Sequence, residues 1–293
     1  MARLAVRRDE AAPIGELLTP SRIRRLLDEH GLAPRKAAGQ NFVVDPNTVR
    51  RIVDTAGLGA GDTVLEIGPG LGSLTLGLAA VARHVVAVEI DAGLVRALEQ
   101  TVGHLDNVEV VHADALRVPL GGLVDGGPAR VVANLPYNVA TPLVMRALLD
   151  DAVEDLFVMV QREVGERWCA PPGTGLRAAV SVKVDVLATA EVVMRIPRTV
   201  FHPVPNVDSV MVRLRRRQDA PDAATRDRIF HVVETAFAQR RKTLRNTLRS
   251  LAAPAELAAA AERAGVDLGH RAEVVPTAAF VALAHALIPD AGM

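Results

Sequence analysis

The chain is short of several residue types, and each shortage excludes something. Its 293 residues include one cysteine, Cys169, so there is no intramolecular disulfide and no Cys-cluster zinc site. One tyrosine, one tryptophan and six phenylalanines make up an aromatic content of only 3%. No uninterrupted apolar run approaches the roughly 18 residues that a membrane helix needs. The opening stretch MARLAVRRDEAAPIG meets acids and a proline before any long apolar run, which does not fit a secretory signal. The eight histidines show no metal-ligand spacing, and HExxH is absent. Disorder is excluded by composition: 49% of residues are hydrophobic and 23% charged, enough apolar material for a substantial core.

Net charge is missing too, with 34 Lys and Arg against 34 Asp and Glu. The zero is a cancellation. Residues 1–51 hold 10 basic and 6 acidic side chains, a net of +4, and residues 52–194 hold 9 and 18, a net of −9. Residues 195–249 hold 13 and 5, a net of +8, and residues 250–293 hold 2 and 5, a net of −3. An acidic centre between basic flanks points to a polyanionic partner that the total conceals.

What is present is a regular alternation. Short Val/Ile/Leu runs at 63–67, 85–90, 108–112, 130–133 and 156–160 read as strands, with helical patterns at 73–82, 92–102 and 141–150 between them. Near-continuous apolar strands separated by helices predict an α/β, Rossmann-like sheet, mostly parallel and covered on both faces. Two later runs, 179–187 and 208–214, read as an antiparallel edge pair. Beyond a linker, RRRQDAPDAA, the periodicity predicts one long helix over about 223–251 and two more at 254–264 and 277–288, a small all-helical C-terminal domain. The expected boundaries are 1–38 for an N-terminal extension and helix, 39–215 for the α/β domain and 216–293 for the helical one.

The first strand runs into VLEIGPGLG at 64–72 and then a helix. Glycines there let backbone N–H groups approach a ligand ahead of a helix N-terminus. A dinucleotide fingerprint would place its third glycine at 73, where Ser73 stands. The spacing Glu66-x-Gly68-x-Gly70-x-Gly72 is that of methyltransferases using S-adenosylmethionine. Glu89 ends the next strand, placed to accept from ribose hydroxyls, and Asp114 ends the third, placed to accept from an adenine amine.

The fourth strand leads into Asn134, Leu135, Pro136 and Tyr137. An exocyclic adenine amine is a poor nucleophile because its lone pair is delocalised into the ring. The Asn134 side-chain oxygen and a backbone carbonyl near Pro136 can accept its two N–H bonds and favour a pyramidal nitrogen. Proline stiffens the loop, and Tyr137 offers a ring for an extruded base, stacking worth roughly 1–3 kcal/mol. Further along, Arg241, Arg245 and Arg249 stand at i, i+4 and i+8 of the expected long helix beside Arg240 and Lys242, with Arg213, Arg215, Arg216 and Arg217 upstream. Guanidinium groups suit phosphate oxygens bidentately, so this stretch is the expected contact for a polyanionic, phosphate-bearing partner.

With these motifs in order, the chain resembles the ribosomal RNA adenine dimethyltransferases (KsgA type) over about residues 20–250. LLDEHGLAPRKAAGQNFVVDPNTVRRIV (26–53), EIGPGLGSLT (66–75), VEID (88–91), HADAL (112–116), NLPYNVATPL (134–143), VQREVGER (160–167), FHPVPNVDSVMV (201–212) and RRKTLRNTL (240–248) carry the likeness. The resemblance implies a class I methyltransferase domain and a helical RNA-binding domain. It implies that Asn41, Val43, Gly68, Glu89, Asp114 and Asn134 line a pocket for S-adenosyl-L-methionine. It also implies that Asn134, Leu135, Pro136 and Tyr137 hold the target adenine, with Phe201 opposite Tyr137. The activity implied is dimethylation of two adjacent adenines of 16S rRNA in the pre-30S subunit, by a cytoplasmic monomer with no membrane partner. Two departures stand out: Val43 replaces the commoner Leu, and TGLRAA at 174–179 lacks the Tyr-Gly pair many members carry. The alternatives are the related enzyme that dimethylates large-subunit (23S) rRNA and confers antibiotic resistance, a catalytically silent nucleic-acid-binding factor on the same fold, and a DNA adenine methyltransferase.

Overall fold

The computed structural model describes residues 16–34, 39–124 and 127–288; of the expected extension over 1–38, residues 1–15 and 35–38 lie outside the described residues. The chain forms two compact units. The first comprises the described residues up to Gln161 together with Val193–Val212; the second comprises Arg162–Val192 and the described residues from Arg213. The segment 162–192, expected in the α/β domain, thus groups with the C-terminal helices.

In the first unit, strand β1 (Phe42–Val43) is a short outlier, and the sheet begins with β2 (Thr63–Ile67), every residue of which is buried. It continues with β3 (His84–Glu89), β4 (Val108–His112), β5 (Ala129–Asn134) and β6 (Val153–Gln161). β2 pairs in parallel with β3 and β5, β3 with β4, and β5 with β6. The remaining strands are β7 (Ala188–Ile196), β8 (Phe201–His202), which pairs antiparallel with β1, and β9 (Ser209–Arg216). The seven-stranded order is β4-β3-β2-β5-β6-β9-β7, with an antiparallel edge. Of the three boundaries between the units, one falls where β6 ends and the other two fall inside strands β7 and β9.

Helices α1 (Pro20–Glu29), α2 (Pro46–Ala56), α3 (Ser73–Ala79), α4 (Ala92–Val102) and α5 (Ala140–Leu148) belong to this unit. Their starts are locally coded. Asp45 caps α2 by accepting from Asn47 N and Thr48 N with Pro46 in the first turn, and Asp91 caps α4 by accepting from Gly93 N and Leu94 N. The apolar faces close over Val64, Val85, Val132, Phe157 and Met159 in one core cluster. At the N-terminal end of β5, Arg130 donates to Ala56 O at 2.7 Å, Gly57 O at 3.0 Å, Asp155 Oδ2 at 3.1 Å and Asp62 Oδ2 at 3.2 Å. That half-buried guanidinium ties the foot of the sheet together and leaves the C-terminal strand ends free for chemistry.

The second unit is helical: α6 (Arg162–Trp168), α7 (Ala179–Leu187), α8 (Ala223–Phe237), α9 (Leu244–Thr247), α10 (Pro254–Arg263) and α11 (Thr277–Leu287). Two expectations are corrected here. Residues 179–187, read as a strand from the alternation in AVSVKVDVL, form α7. Val182 and Val186 sit in the helical core with Ile229, Val233 and Phe280, and Ser181 Oγ accepts from Ala178 N and donates to Arg167 O. Burial against helices outweighs the β-propensity of valine, and the strand begins one residue later, at Ala188.

The long helix expected over 223–251 stops at Phe237. Residues 238–243 turn, and the chain resumes as α9 and a 3-10 turn at Leu248–Ser250. Leu244 N donates to His270 O at 2.8 Å and Arg245 N to Leu268 O at 3.0 Å, so these amides serve a tertiary contact instead of a continuing helix. Leu244 and Leu248 are fully buried in the helical core. The expected helices at 254–264 and 277–288 are present as α10 and α11. Among the described residues no helix is long and apolar enough to cross a membrane.

Candidate active site

A cavity of about 340 Å3 opens in the first unit at the C-terminal ends of β2, β3 and β5. Six residues expected there, Asn41, Val43, Gly68, Glu89, Asp114 and Asn134, all lie on its wall, joined by Pro136. Parallel register explains the convergence. Ile67 pairs with Val88 and Glu89 with His112, so the residues that end neighbouring strands, or follow them, fall along one edge.

The floor is the turn after β2. Gly70 has φ +61°, and a Cβ added there would stand 2.8 Å from the Phe42 ring. Only glycine allows both the left-handed backbone and the close approach of the segment carrying Asn41. Gly70 N donates to Glu89 Oε2 at 3.1 Å, while Ile90 N and Asp91 N each donate to Oε1 at 2.9 Å. The Glu89 carboxylate is therefore immobilised on the cavity wall, with Oε2 keeping accepting capacity. Burial pushes its pKa up, against the pull of those three N–H groups. Asp114 accepts from Leu116 N at 2.9 Å and pairs with Arg117 at 3.2 Å, an exposed partner that leaves the acid at the surface of the pocket.

Glu66 is a wall residue that strand reading passed over as part of a spacing. It is 1% exposed, its Oε2 has no partner among the described residues, and burial, with Glu89 nearby, pushes its carboxyl up to about 8. The sequence signal was an acid inside an otherwise apolar buried strand. Ile90, 63% exposed and also on the wall, was likewise missed; an apolar residue next to the strand-end acid was the available cue.

At the end of β5, Asn134 Nδ2 donates to Asn41 O at 2.8 Å. That bond sets the amide orientation and leaves Oδ1 as the unused acceptor. Leu135 is buried and its N donates to Met159 O at 3.1 Å, extending the sheet bonding one residue past the strand. Pro136 O accepts from Val139 N at 3.2 Å, whereas no backbone donor among the described residues reaches Leu135 O. Tyr137 is half-buried and its hydroxyl bonds Ser209 Oγ at 2.7 Å; its ring is not part of the cavity wall.

Phe201 departs from expectation. Instead of facing a base opposite Tyr137, it is 2% exposed and sits in the core cluster with Val43, Phe157, Met159 and Met211. Its strand pairs Phe201 with Val43, and the ring drops between the sheet and β1.

The basic residues Arg240, Arg241, Lys242, Arg245 and Arg249 are all exposed. They do not share one helix face: the first three lie in the turn after α8, Arg245 in α9 and Arg249 in the 3-10 turn. Of the upstream arginines, Arg217 bonds Asp185 at 2.7 Å and Arg213 lies 4.0 Å from Glu191, so both serve the second unit internally.

A sheet of this order, with a glycine turn after its central strand and acids at the next two strand ends, defines a class I methyltransferase. The model of the ribosomal RNA adenine dimethylase family matches residues 31–288, and the chain belongs to that family of rRNA-methylating enzymes. It is 50% identical to a ribosomal RNA small subunit methyltransferase A of Thermobifida fusca, over 92% of this chain and 95% of that one. It is 41% identical to the protein of the same name from Geobacillus thermodenitrificans, over 94% and 98%. Among solved structures it resembles the 23S rRNA methyltransferase ErmE, with 30% identity, a TM-score of 0.67, and coverage of 84% of this chain and 99% of that one.

Proposed function

We propose that this enzyme uses S-adenosyl-L-methionine to dimethylate N6 of two adjacent adenines of 16S rRNA in the assembling 30S subunit, as a cytoplasmic monomer. The observation that carries the reading is the Asn134 amide, turned by its bond to Asn41 O so that an acceptor is left for an adenine amine. The relatives at 41% and 50% identity are named for the small subunit and match nearly end to end, which favours 16S over 23S rRNA.

The cavity suits a cationic nucleoside. Two buried carboxyls, Glu66 and Glu89, repel each other and are disfavoured as anions by burial; a positive ligand relieves both costs. In this reading Glu89 Oε2 and Asp114 accept from ribose and adenine, and Asn41, Val43 and Gly68 enclose the remainder; all five line the cavity. When bound, the cofactor supplies a methyl group on a sulfonium, a good leaving group that demands no strong base. Asn134 Oδ1 and Leu135 O accept the amine's N–H bonds and localise its lone pair. After a first methylation one N–H remains for Asn134. Tyr137 supports the extruded base, and alignment of donor and acceptor provides much of the rate. Arg240, Arg241, Lys242, Arg245 and Arg249 hold the RNA backbone through phosphate contacts.

Labelled methyl transfer to isolated, unmodified 30S and 50S particles tests this, followed by mapping of the modified nucleotides. Two adjacent dimethyladenines in 16S rRNA are expected, with Asn134→Ala lowering the rate on the order of 10²- to 10³-fold, as for loss of one preorganised hydrogen bond. Transfer to 50S alone would move the enzyme to the large-subunit branch, and no transfer to either would leave a binding factor.

A further inference from the structure

Tyr137 is the chain's one tyrosine, and its hydroxyl is bonded within the protein. Its partner, Ser209, is the first residue of β9 and fully buried, and among the described residues the one side chain its hydroxyl bonds is that phenol, at 2.7 Å. The other end of the tyrosine is crowded as well. Gly39 has φ +69°, and a Cβ there would meet Tyr137 N at 3.0 Å and Asn138 Oδ1 at 3.3 Å. The main chain of Tyr137 is thus confined by the segment bearing Asn41, and the far end of its ring by the sheet. A ring fixed at both ends loses freedom about χ1 and χ2 before any base arrives, and preorganised geometry is what an alignment-driven reaction needs.

We infer that Ser209 is a positioning residue: its hydroxyl, carried on the first position of β9, anchors the Tyr137 phenol and so sets the plane on which the target adenine rests. The inference builds on the reading of Tyr137 as the support for the base. It assigns the phenol hydroxyl to the protein and the ring face to the substrate, and it explains how a residue beside Asn134 keeps its orientation although Phe201 does not pack over the cavity.

The test is a double-mutant cycle with Ser209→Ala, Tyr137→Phe and both together, plus Tyr137→Ala. The readouts are kcat and KM for methyl transfer to unmodified 30S particles, affinity for S-adenosylhomocysteine, thermal midpoint, and the resonance Raman doublet of the single tyrosine, which reports this hydrogen bond alone. Loss of one hydrogen bond of ordinary strength predicts that Ser209→Ala and Tyr137→Phe each lower kcat about 3- to 10-fold. The double variant should be no slower than either single one, with S-adenosylhomocysteine affinity unchanged and the tyrosine doublet altered in Ser209→Ala. If Ser209→Ala slows the enzyme equally in the Tyr137→Phe background, or neither single variant slows it, the inference is overturned. Should Ser209→Ala fail to fold, Tyr137→Phe, which keeps the ring, decides alone: unchanged kcat refutes the anchor. Tyr137→Ala separates the two levels. If it retains full activity, the base-support reading fails; if it is strongly impaired while Ser209→Ala and Tyr137→Phe are normal, only the anchor fails.

Discussion

The cavity wall and the basic turn of the helical unit carry their charge in opposite ways. Glu66 and Glu89 are 1% and 5% exposed; Glu89 is held by the N–H groups of Gly70, Ile90 and Asp91, and Glu66 is tuned by its burial and by Glu89 nearby. Arg240, Arg241, Lys242, Arg245 and Arg249 are all exposed. A buried carboxyl acts over a few ångströms in a poorly polarisable medium and selects a ligand by the sign and shape of one group. An exposed cation is screened within about 8 Å at physiological salt, so five of them act additively on a polymer of phosphates. The acidic and basic blocks that sum to zero are therefore two kinds of device: one should respond to pH, the other to salt.

The strongest way to break this contrast is to loosen the scaffold of the basic turn. Leu244 is fully buried in the helical core between Lys242 and Arg245. Leu244→Ala should cost about 2–5 kcal/mol of stability, as for other large-to-small core changes. Below its lowered melting transition it should still bind S-adenosylhomocysteine normally while losing affinity for 30S particles. Calorimetry with the two ligands checks this, and a matching loss of cofactor affinity would show that the two devices are not separable.

A smaller effect is expected from Arg241→Ala with Arg245→Ala. Removing two phosphate contacts should weaken 30S binding about tenfold and flatten its salt dependence by roughly two counterions, with cofactor affinity unchanged. Filter binding across a salt series measures both, and unchanged RNA affinity would contradict the role given to these residues.

The third effect belongs to the buried side and is read through pH. The Glu66 carboxyl is raised from 4.5 to about 8 in the fold. Between those values the unfolded chain has released this proton and the native state retains it, so stability falls as pH rises through that window and levels off above it. Glu66→Gln removes the titration. Its thermal midpoint relative to the parent should climb by a few degrees between about pH 5 and pH 8 and then stay level. Parallel midpoint-against-pH curves for the two proteins would contradict the burial of that charge.

Much of the first unit is legible one residue at a time. The glycine turn, the strand-end acids and Asn134 follow strands whose apolar runs are nearly unbroken, and parallel register brings the ends of such strands together. The partners of those residues are less legible. Ser209 lies 72 residues from Tyr137, and the Asn41 carbonyl lies 93 residues from Asn134. Glu66 was visible only as one letter of a spacing, because its burial follows from neighbouring strands. In the second unit, local signals pointed the wrong way twice. The alternation in AVSVKVDVL fits a strand, and RRKTLRNTLR fits a helix face, until the contacts of Ser181 with Arg167 O and of Leu244 N with His270 O are known.

The sequence by itself determined the α/β class, the residues that line the cavity and the position of the Asn134 motif at a strand end, because strand periodicity, glycine turns and helix caps depend on neighbours within a few positions. Tertiary structure decided the rest: that 179–187 is a helix, that the basic residues lie on a turn and not a stripe, that Phe201 belongs to the core, and which atom of the Asn134 amide is left free. Each of these turns on burial or on a hydrogen bond between residues far apart in the chain, where local preferences of about 1 kcal/mol are outweighed by packing.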